Sequence, residues 1–205
     1  MKNSDYTYDY FLEAFNEAKQ TATNLTESVS DEIFRQKPSE DKWCMGEILS
    51  HLVQAGNEYL PQIEQALDKP DDKLAKGKGP FTPNFAMRWF IGQVSPENRR
   101  KLPTVSSFEP IRSADLNISK TLADFVQLQD NFIHILKRAK LEGWDLDRIK
   151  ARNPIIKIVP MSLTACFGVA DAHQRRHFEQ MRMLKDQFDQ EPVNSSAEHQ
   201  EGAKE

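Results

Sequence analysis

Apolar residues recur at steps of three and four positions in four stretches of the chain, over residues 5–29, 44–63, 113–140 and 162–188. This spacing places the apolar side chains of each stretch on one face, which predicts four amphipathic helices, numbered 1 to 4 in chain order. No stretch alternates apolar and polar residues as a half-buried strand does. The two long connections, before helix 3 and before helix 4, therefore predict an all-α four-helix bundle with crossover connections.

One domain over residues 1–190 is expected to hold all four helices, because no break in composition divides the chain. Residues 191–205 are mostly polar and interrupted by a proline, with too few apolar side chains to form a core. We expect this tail, with His199 in it, to be disordered.

Helix 2 carries two further signals. Cys44 and Glu47 have the spacing of a capping box, with Cys44 in place of the usual Ser or Thr, so the helix should begin at residue 44 or 45. Pro61 predicts a kink or a break after about Tyr59. The apolar stripe of this helix leaves a set of residues facing away from the core: Glu47, Ser50, Gln54, Asn57 and Glu58.

The connection over residues 73–112 holds five of the chain's eleven prolines, so little regular structure is expected beyond a helical turn over residues 85–91. Its aromatic residues are too dense for a loop that is exposed throughout. Part of this crossover should therefore fold over the bundle or form a subunit contact. The aromatic residues are Phe81, Phe85, Trp89, Phe90 and Phe108.

The same crossover has eight basic residues against two acidic ones. One interpretation is a site for an anionic ligand. The favoured alternative is a solvated loop whose positive charges offset acidic helices. Under the first interpretation, the candidate substrate-binding residues of the crossover and of the turn before helix 2 are Trp43, Arg88, Trp89, Arg99 and Arg100.

Two histidines occupy the inner stripe of helix 4. His173 and His177 lie one turn apart, so both imidazoles can reach one point beside the helix, where a metal ion could bind. The alternative is a pair of buried histidines that bond to neighbouring helices. That alternative weakens for two rings, because each has two polar nitrogens that need partners. His51 lies on the flank of helix 2, where a side chain could reach a cleft, whereas His134 is expected at the surface.

The net charge of −4 gives no general electrostatic reason to bind nucleic acid. No run approaches the roughly 20 apolar residues that span a bilayer, and the first residues lack the apolar core of a signal peptide. We expect a soluble, cytoplasmic protein with no membrane partner. Cys44 and Cys166 are expected to be free thiols, as fits a reducing compartment.

Two motifs together resemble the DinB-like superfamily of metal-dependent enzymes. The first is Trp43-Cys-Met-Gly-Glu-Ile-Leu-Ser-His51-Leu, and the second is His173-Gln-Arg-Arg-His177-Phe-Glu-Gln180. Asn153-Pro154-Ile155 is similar to the stretch that precedes the family's last helix. The resemblance implies a four-helix bundle in which His51, His173 and His177 bind one divalent metal ion, often within a homodimer. The chain departs from the family pattern at Cys44 and in its long basic crossover.

Three imidazoles without a fourth protein ligand are typical of a metal with an open coordination position. We expect zinc first, with nickel, manganese or iron as alternatives. By resemblance, the first hypothesis for function is a thiol-dependent transferase that acts on a small molecule through a metal-bound thiolate of a low-molecular-weight thiol. The alternatives are a metal-dependent small-molecule hydrolase and a non-catalytic metal-binding protein in stress or interaction. Glu47 has a capping role and Asp171 is off the inner stripe, so no general base is evident, which favours the thiol hypothesis slightly.

Overall fold

Four long helices form the bundle in the computed structural model, which describes residues 6–68, 76–98, 100, 104–156 and 158–190. The predicted all-α four-helix bundle is confirmed. The long helices are α1 (Tyr8–Thr26), α3 (Met45–Asp68), α5 (Ile118–Glu142) and α6 (Leu163–Gln190). The connections contain the short helices α2 (Asp31–Arg35) and α4 (Phe85–Val94), and 3₁₀ turns at Ser106–Phe108 and Ser113–Asp115.

Side-chain caps set several helix ends. The predicted capping box at the start of α3 is confirmed. The Cys44 amide donates to Glu47 Oε2 at 3.0 Å, and the Glu47 amide donates to Cys44 Sγ at 3.4 Å. Helix 3 of the sequence analysis corresponds to α5. Its predicted start near Ser113 is wrong, because the Asn117 side chain accepts from the Lys120 amide and caps α5 there. Ser113 instead opens a 3₁₀ turn.

Helix α3 continues through Pro61 to Asp68, so no break follows Tyr59. Proline removes one backbone hydrogen bond, to the carbonyl four residues earlier, at Asn57. Pro61 and Asn57 are both exposed, so water can solvate the carbonyl that loses its partner. The helix therefore tolerates the proline on its outer face.

Aromatic side chains fill the centre of the bundle. Phe15 lies with its ring centroid 5.1 Å from that of Phe132 and 6.0 Å from that of Phe167. Phe132 contacts Phe167, whereas Phe125, two turns earlier on α5, contacts Phe178, further along α6. The residue numbers of these contacts increase along α5 as they decrease along α6, so the two helices are antiparallel.

The crossover lies partly on the bundle, as predicted. Phe81 and Phe108 are buried, and Phe81 forms a β-bridge with Tyr6. Phe85 and Trp89, on α4, remain 78% and 59% exposed. The predicted homodimer stays a prediction, and these two rings are candidates for its contact surface.

A short antiparallel ladder pairs β1 (Lys150–Arg152) with β2 (Pro160–Ser162) immediately before α6. No alternating stretch in the sequence predicted this ladder. Three-residue strands are too short to show alternation in a sequence. The ladder closes the loop around Asn153, whose side-chain oxygen accepts from the amides of Ile155 and Ile156.

None of the described helices combines the length and the apolar character that crossing a bilayer requires. Cys44 and Cys166 are buried free thiols, as predicted. The disordered tail predicted over residues 191–205 lies outside the described residues, as does Arg99. The single domain over residues 1–190 stays a prediction.

Candidate metal centre

The ring nitrogens of His51, His173 and His177 converge on one point. His173 Nε2 lies 3.2 Å from His51 Nε2 and 3.0 Å from His177 Nε2. The candidate ligand atoms of the three residues all lie within 4.8 Å of one another. The HxxxH spacing on α6 supplies two of them, and α3 brings the third from 122 positions earlier in the chain.

The spacing of these nitrogens fits a single ion. Two ligands about 2.0–2.1 Å from a tetrahedral zinc are separated by about 3.3 Å. The two measured Nε2 separations lie slightly below this value. Small rotations of the rings would therefore complete the ligand set without moving a helix.

Hydrogen bonds to the other ring nitrogens direct two of the lone pairs inward. The Nδ1 of His51 lies 2.5 Å from the Phe108 carbonyl, which can only accept, so this nitrogen carries the proton. The Nδ1 of His177 lies 2.7 Å from Gln180 Oε1, an acceptor as well. In the neutral rings, both Nε2 atoms therefore present lone pairs to the common point, as metal ligation requires.

The environment keeps all three rings neutral. Burial lowers the pKa of His51, although its bond to Phe108 opposes that shift. Burial lowers the pKa of His177 to about 3, with a further contribution from His51. The pKa of His173 lies well below its usual value, chiefly through burial and then through His177 and His51. Neutral imidazole is the form that binds a metal, so the group is prepared for ligation at neutral pH.

Trp43 covers one side of this centre. Its ring centroid lies 4.7 Å from that of His51 and 6.2 Å from that of His177. Cys44, the next residue, begins the capping box of α3, so the rigid start of this helix fixes the position of the indole. Trp43 also lines the cavity described below.

A family model described as the DinB superfamily matches residues 14–181. The chain belongs to the DinB superfamily. The matched region runs from α1 into α6, and it includes all three histidines.

Two further proteins are similar to this chain. An uncharacterized protein, YuaE of Bacillus subtilis (strain 168), is 21% identical over 178 residues, which cover 87% of this chain and 99% of YuaE. Among solved structures, YfiT from Bacillus subtilis is similar with a TM-score of 0.58 and 14% identity, over 89% of this chain and 87% of YfiT. YfiT is described as a probable metal-dependent hydrolase with an unusual four-helix bundle topology. At this identity, the likeness shows the fold alone.

The other predicted substrate-binding residues of the DinB chain lie apart from Trp43. Arg88, Trp89 and Arg100 are exposed, and none of them lines the cavity beside the histidines. Arg99 lies outside the described residues. Their role in binding a substrate stays a prediction.

Several polar residues support the centre in ways that sequence patterns did not reveal. Ser50, predicted to face away from the core, is buried and accepts a hydrogen bond from the Ile111 amide. Together with the bond from His51 to Phe108, this contact attaches the crossover to α3. Arg176 donates to the carbonyls of Gln93, Asn98 and Arg100, which attaches the segment after α4 to α6. Among the residues that support the centre, Gln180 was the one with a sequence signal, because it lies three residues after His177 on the same helix face.

Proposed function

We propose that this DinB protein is a divalent-metal-dependent enzyme that transfers a low-molecular-weight thiol to a small electrophilic molecule. The observation that carries the proposal is a group of three neutral histidines, open to a cavity of about 1300 Å³, with no uncommitted carboxylate beside it among the described residues. Zinc suits this donor set best, with nickel, manganese and iron as alternatives. His51, His173 and His177 would hold the ion.

When bound, the metal would lower the pKa of a coordinated thiol, so that the sulfur reacts as a thiolate. The protein's own groups would orient the ligands through Phe108 and Gln180 and shield one side of the site with Trp43. In the reaction, sulfur forms a bond to the electrophilic carbon, and the leaving group departs with the electron pair of its bond. The thiol proton passes to solvent.

The described carboxylates near the centre are already engaged. Asp41, which lines the cavity, accepts from the Ser39 hydroxyl at 2.7 Å. Glu47 accepts from the Cys44 amide through Oε2 and pairs with Lys37 through Oε1 at 3.0 Å. Asp171 accepts from the Tyr10 hydroxyl at 2.8 Å and pairs with Arg175 at 3.2 Å. Hydrolysis by an activated water benefits from a general base, whereas a bound thiolate needs none for its attack. This difference favours thiol transfer.

The protein's two cysteines are poor candidates for the reacting thiol. Burial raises the pKa of the Cys44 thiol to about 11 and that of the Cys166 thiol to about 12. Both side chains are fully or almost fully inaccessible to solvent. Because the thiolate is the nucleophilic form, the sulfur must come from a separate small molecule.

Hydrolysis of a small molecule is the second candidate. Its specific support is the description of YfiT as a probable metal-dependent hydrolase. The two reactions differ in what they consume, since transfer requires a thiol and hydrolysis requires only water. A third outcome, metal binding without catalysis, would leave both reactions at their uncatalysed rates.

We expect zinc-loaded, untagged protein to accelerate the conjugation of monochlorobimane to at least one thiol in a panel of cysteine, glutathione and coenzyme A. Removal of one metal ligand in His51→Ala should return the rate to the uncatalysed level, because two histidines hold the ion poorly. His134→Ala is the matched control, since His134 is exposed on α5 and should retain full activity. Fluorescence of the bimane adduct measures the rate.

The same preparations should leave p-nitrophenyl acetate intact beyond its spontaneous hydrolysis when no thiol is present. Ester hydrolysis that depends on His51, without any thiol conjugation, would favour the hydrolase over the transferase. An absence of both activities across the panel would contradict the enzyme proposal.

A further inference from the structure

The cavity beside the three histidines extends between α3, α5 and α6. Its lining includes His51 and Tyr59 of α3, Gln129 of α5 and Gln174 of α6. Tyr59 follows His51 by eight residues on one helix, which corresponds to about 12 Å along the axis. The cavity therefore reaches well beyond the metal ligands into the bundle.

Three buried polar atoms on this lining lack a hydrogen-bond partner among the described residues: Tyr59 Oη, Gln129 Oε1 and Gln174 Nε2. Tyr59, Gln129 and Gln174 are only 4%, 1% and 3% exposed. A buried polar group without a partner costs about 1–3 kcal/mol. Since leucine or phenylalanine would fill these positions without that cost, the three side chains point to a bound molecule that completes their hydrogen bonds.

The positions of the three atoms outline the shape of that molecule. Gln174 follows His173 on α6, and both residues line the cavity. Gln129 lies between Phe125 and Phe132, which contact residues 178 and 167 of α6, and so faces the same part of that helix. The remaining lining between these groups is largely apolar, including Leu128 and Val169.

Charge is almost absent from this lining. Of the residues described as lining the cavity, the charged ones are Asp41, Lys42 and Arg176. Asp41 and Lys42 are exposed in the turn before α3. The guanidinium of Arg176 donates to three carbonyls of the crossover. Apart from a metal ion held by the three histidines, neither a cation nor an anion would find an opposite charge among the described residues in the interior of the bundle, and an isolated buried ion is costly.

We infer that the cavity binds an uncharged molecule with an apolar body and a group that both donates and accepts hydrogen bonds, such as a primary amide. Gln129 Oε1 requires a donor, Gln174 Nε2 requires an acceptor, and the Tyr59 hydroxyl can serve as either. The role of this molecule as the electrophile rests on the proposed function. Its binding does not, because binding requires neither a thiol nor turnover.

The test compares four probes with one phenylbutyl body: 4-phenylbutanamide, 4-phenylbutanoate, 4-phenylbutylammonium and butylbenzene. Isothermal titration calorimetry on the full chain, zinc-loaded and after chelation, gives each affinity. The chelated protein decides between amide and carboxylate, because a carboxylate can coordinate zinc directly. We expect the amide to bind at least about tenfold more tightly than either charged probe.

Variants then assign the polar contacts. We expect three variants each to weaken amide binding by roughly three- to tenfold, which corresponds to one net hydrogen bond: Gln129→Leu, Gln174→Leu and Tyr59→Phe. Their affinity for butylbenzene should not fall. Gln127→Leu is the matched control, since Gln127 is exposed on α5, and should leave both affinities unchanged. Far-UV circular dichroism verifies the fold of each variant, and if all three misfold, the selectivity of the wild-type chain decides alone.

Three results would overturn the inference. The first is a charged probe that binds the chelated protein as tightly as the amide. The second is the failure of every probe to bind, in which case water alone satisfies the three polar atoms. The third is an amide affinity that all folded variants retain. Amide binding without any thiol conjugation would sustain this inference while contradicting the proposed function.

Discussion

Replacing His51, His173 or His177 by alanine is expected to remove most of the bound divalent ion from the protein. Each change leaves two imidazoles where the nitrogens of three converge. Loss of an outer-shell partner alone typically costs 10- to 100-fold in affinity, so loss of a ligand should cost more than about 100-fold. The helices should remain, because the histidines lie at the edge of a cavity and not in the aromatic centre of the bundle.

Metal content per chain after dialysis, measured by inductively coupled plasma mass spectrometry, checks this expectation. His134→Ala is the control, since its imidazole is exposed on the far side of α5 and should leave the content unchanged. Circular dichroism establishes that each variant is folded. If His51→Ala retained as much metal as the wild-type chain, the two histidines of α6 would suffice and the three-histidine site would be wrong.

Phe15→Ala is expected to destabilise the protein by about 3–5 kcal/mol, the range for removal of a buried phenylalanine side chain. Phe15 is fully buried, and its ring lies 5.1 Å from Phe132 and 6.4 Å from Phe11 between centroids. Phe11 lies on α1 and Phe132 on α5, so filling the space would require the two helices to shift relative to each other. A cavity would therefore remain, and its free-energy cost adds to that of the lost apolar burial.

The midpoint and slope of urea unfolding, followed by circular dichroism, give the change in free energy. Leu141→Ala provides the comparison, because Leu141 is 89% exposed on α5 and should change stability by less than about 0.5 kcal/mol. Equal effects of the two substitutions would contradict the placement of Phe15 in the core.

The helices were predictable because each pairs a periodic apolar face with local end signals. In α1, the apolar residues that recur at steps of three and four positions from Tyr8 to Leu25 are all buried. The cap formed by Cys44 and Glu47 was also predictable from the sequence, because it depends on residues three positions apart. Local signals of this kind do not depend on how the rest of the chain is packed.

Burial of polar residues was not predictable in the same way. Glu47 and Ser50 belong to the outer face of α3 by periodicity, yet both are buried. Ser50 is covered by the crossover near Ile111, 61 positions later. Asp171, off the inner stripe of α6, is buried against Tyr10 of α1, 161 positions earlier. These contacts depend on tertiary packing, which periodicity within one helix does not encode.

For the candidate metal centre, the sequence identified the three histidines but not the groups that orient them. The acceptor for His51 is the backbone carbonyl of Phe108, and a carbonyl has no residue-specific signature. The three unpartnered atoms of the cavity, on Tyr59, Gln129 and Gln174, come from three helices. Only their convergence on one cavity distinguishes them from ordinary polar positions.

The central claim is that one divalent ion lies between His51, His173 and His177. Anomalous X-ray diffraction from crystals of the untagged protein, reconstituted with zinc and measured on both sides of the zinc absorption edge, tests it most directly. We expect one strong anomalous peak per chain, with the Nε2 atoms of all three rings about 2.0–2.1 Å away. A peak that contacts His173 and His177 but not His51, or no peak between the three rings, would contradict the claim.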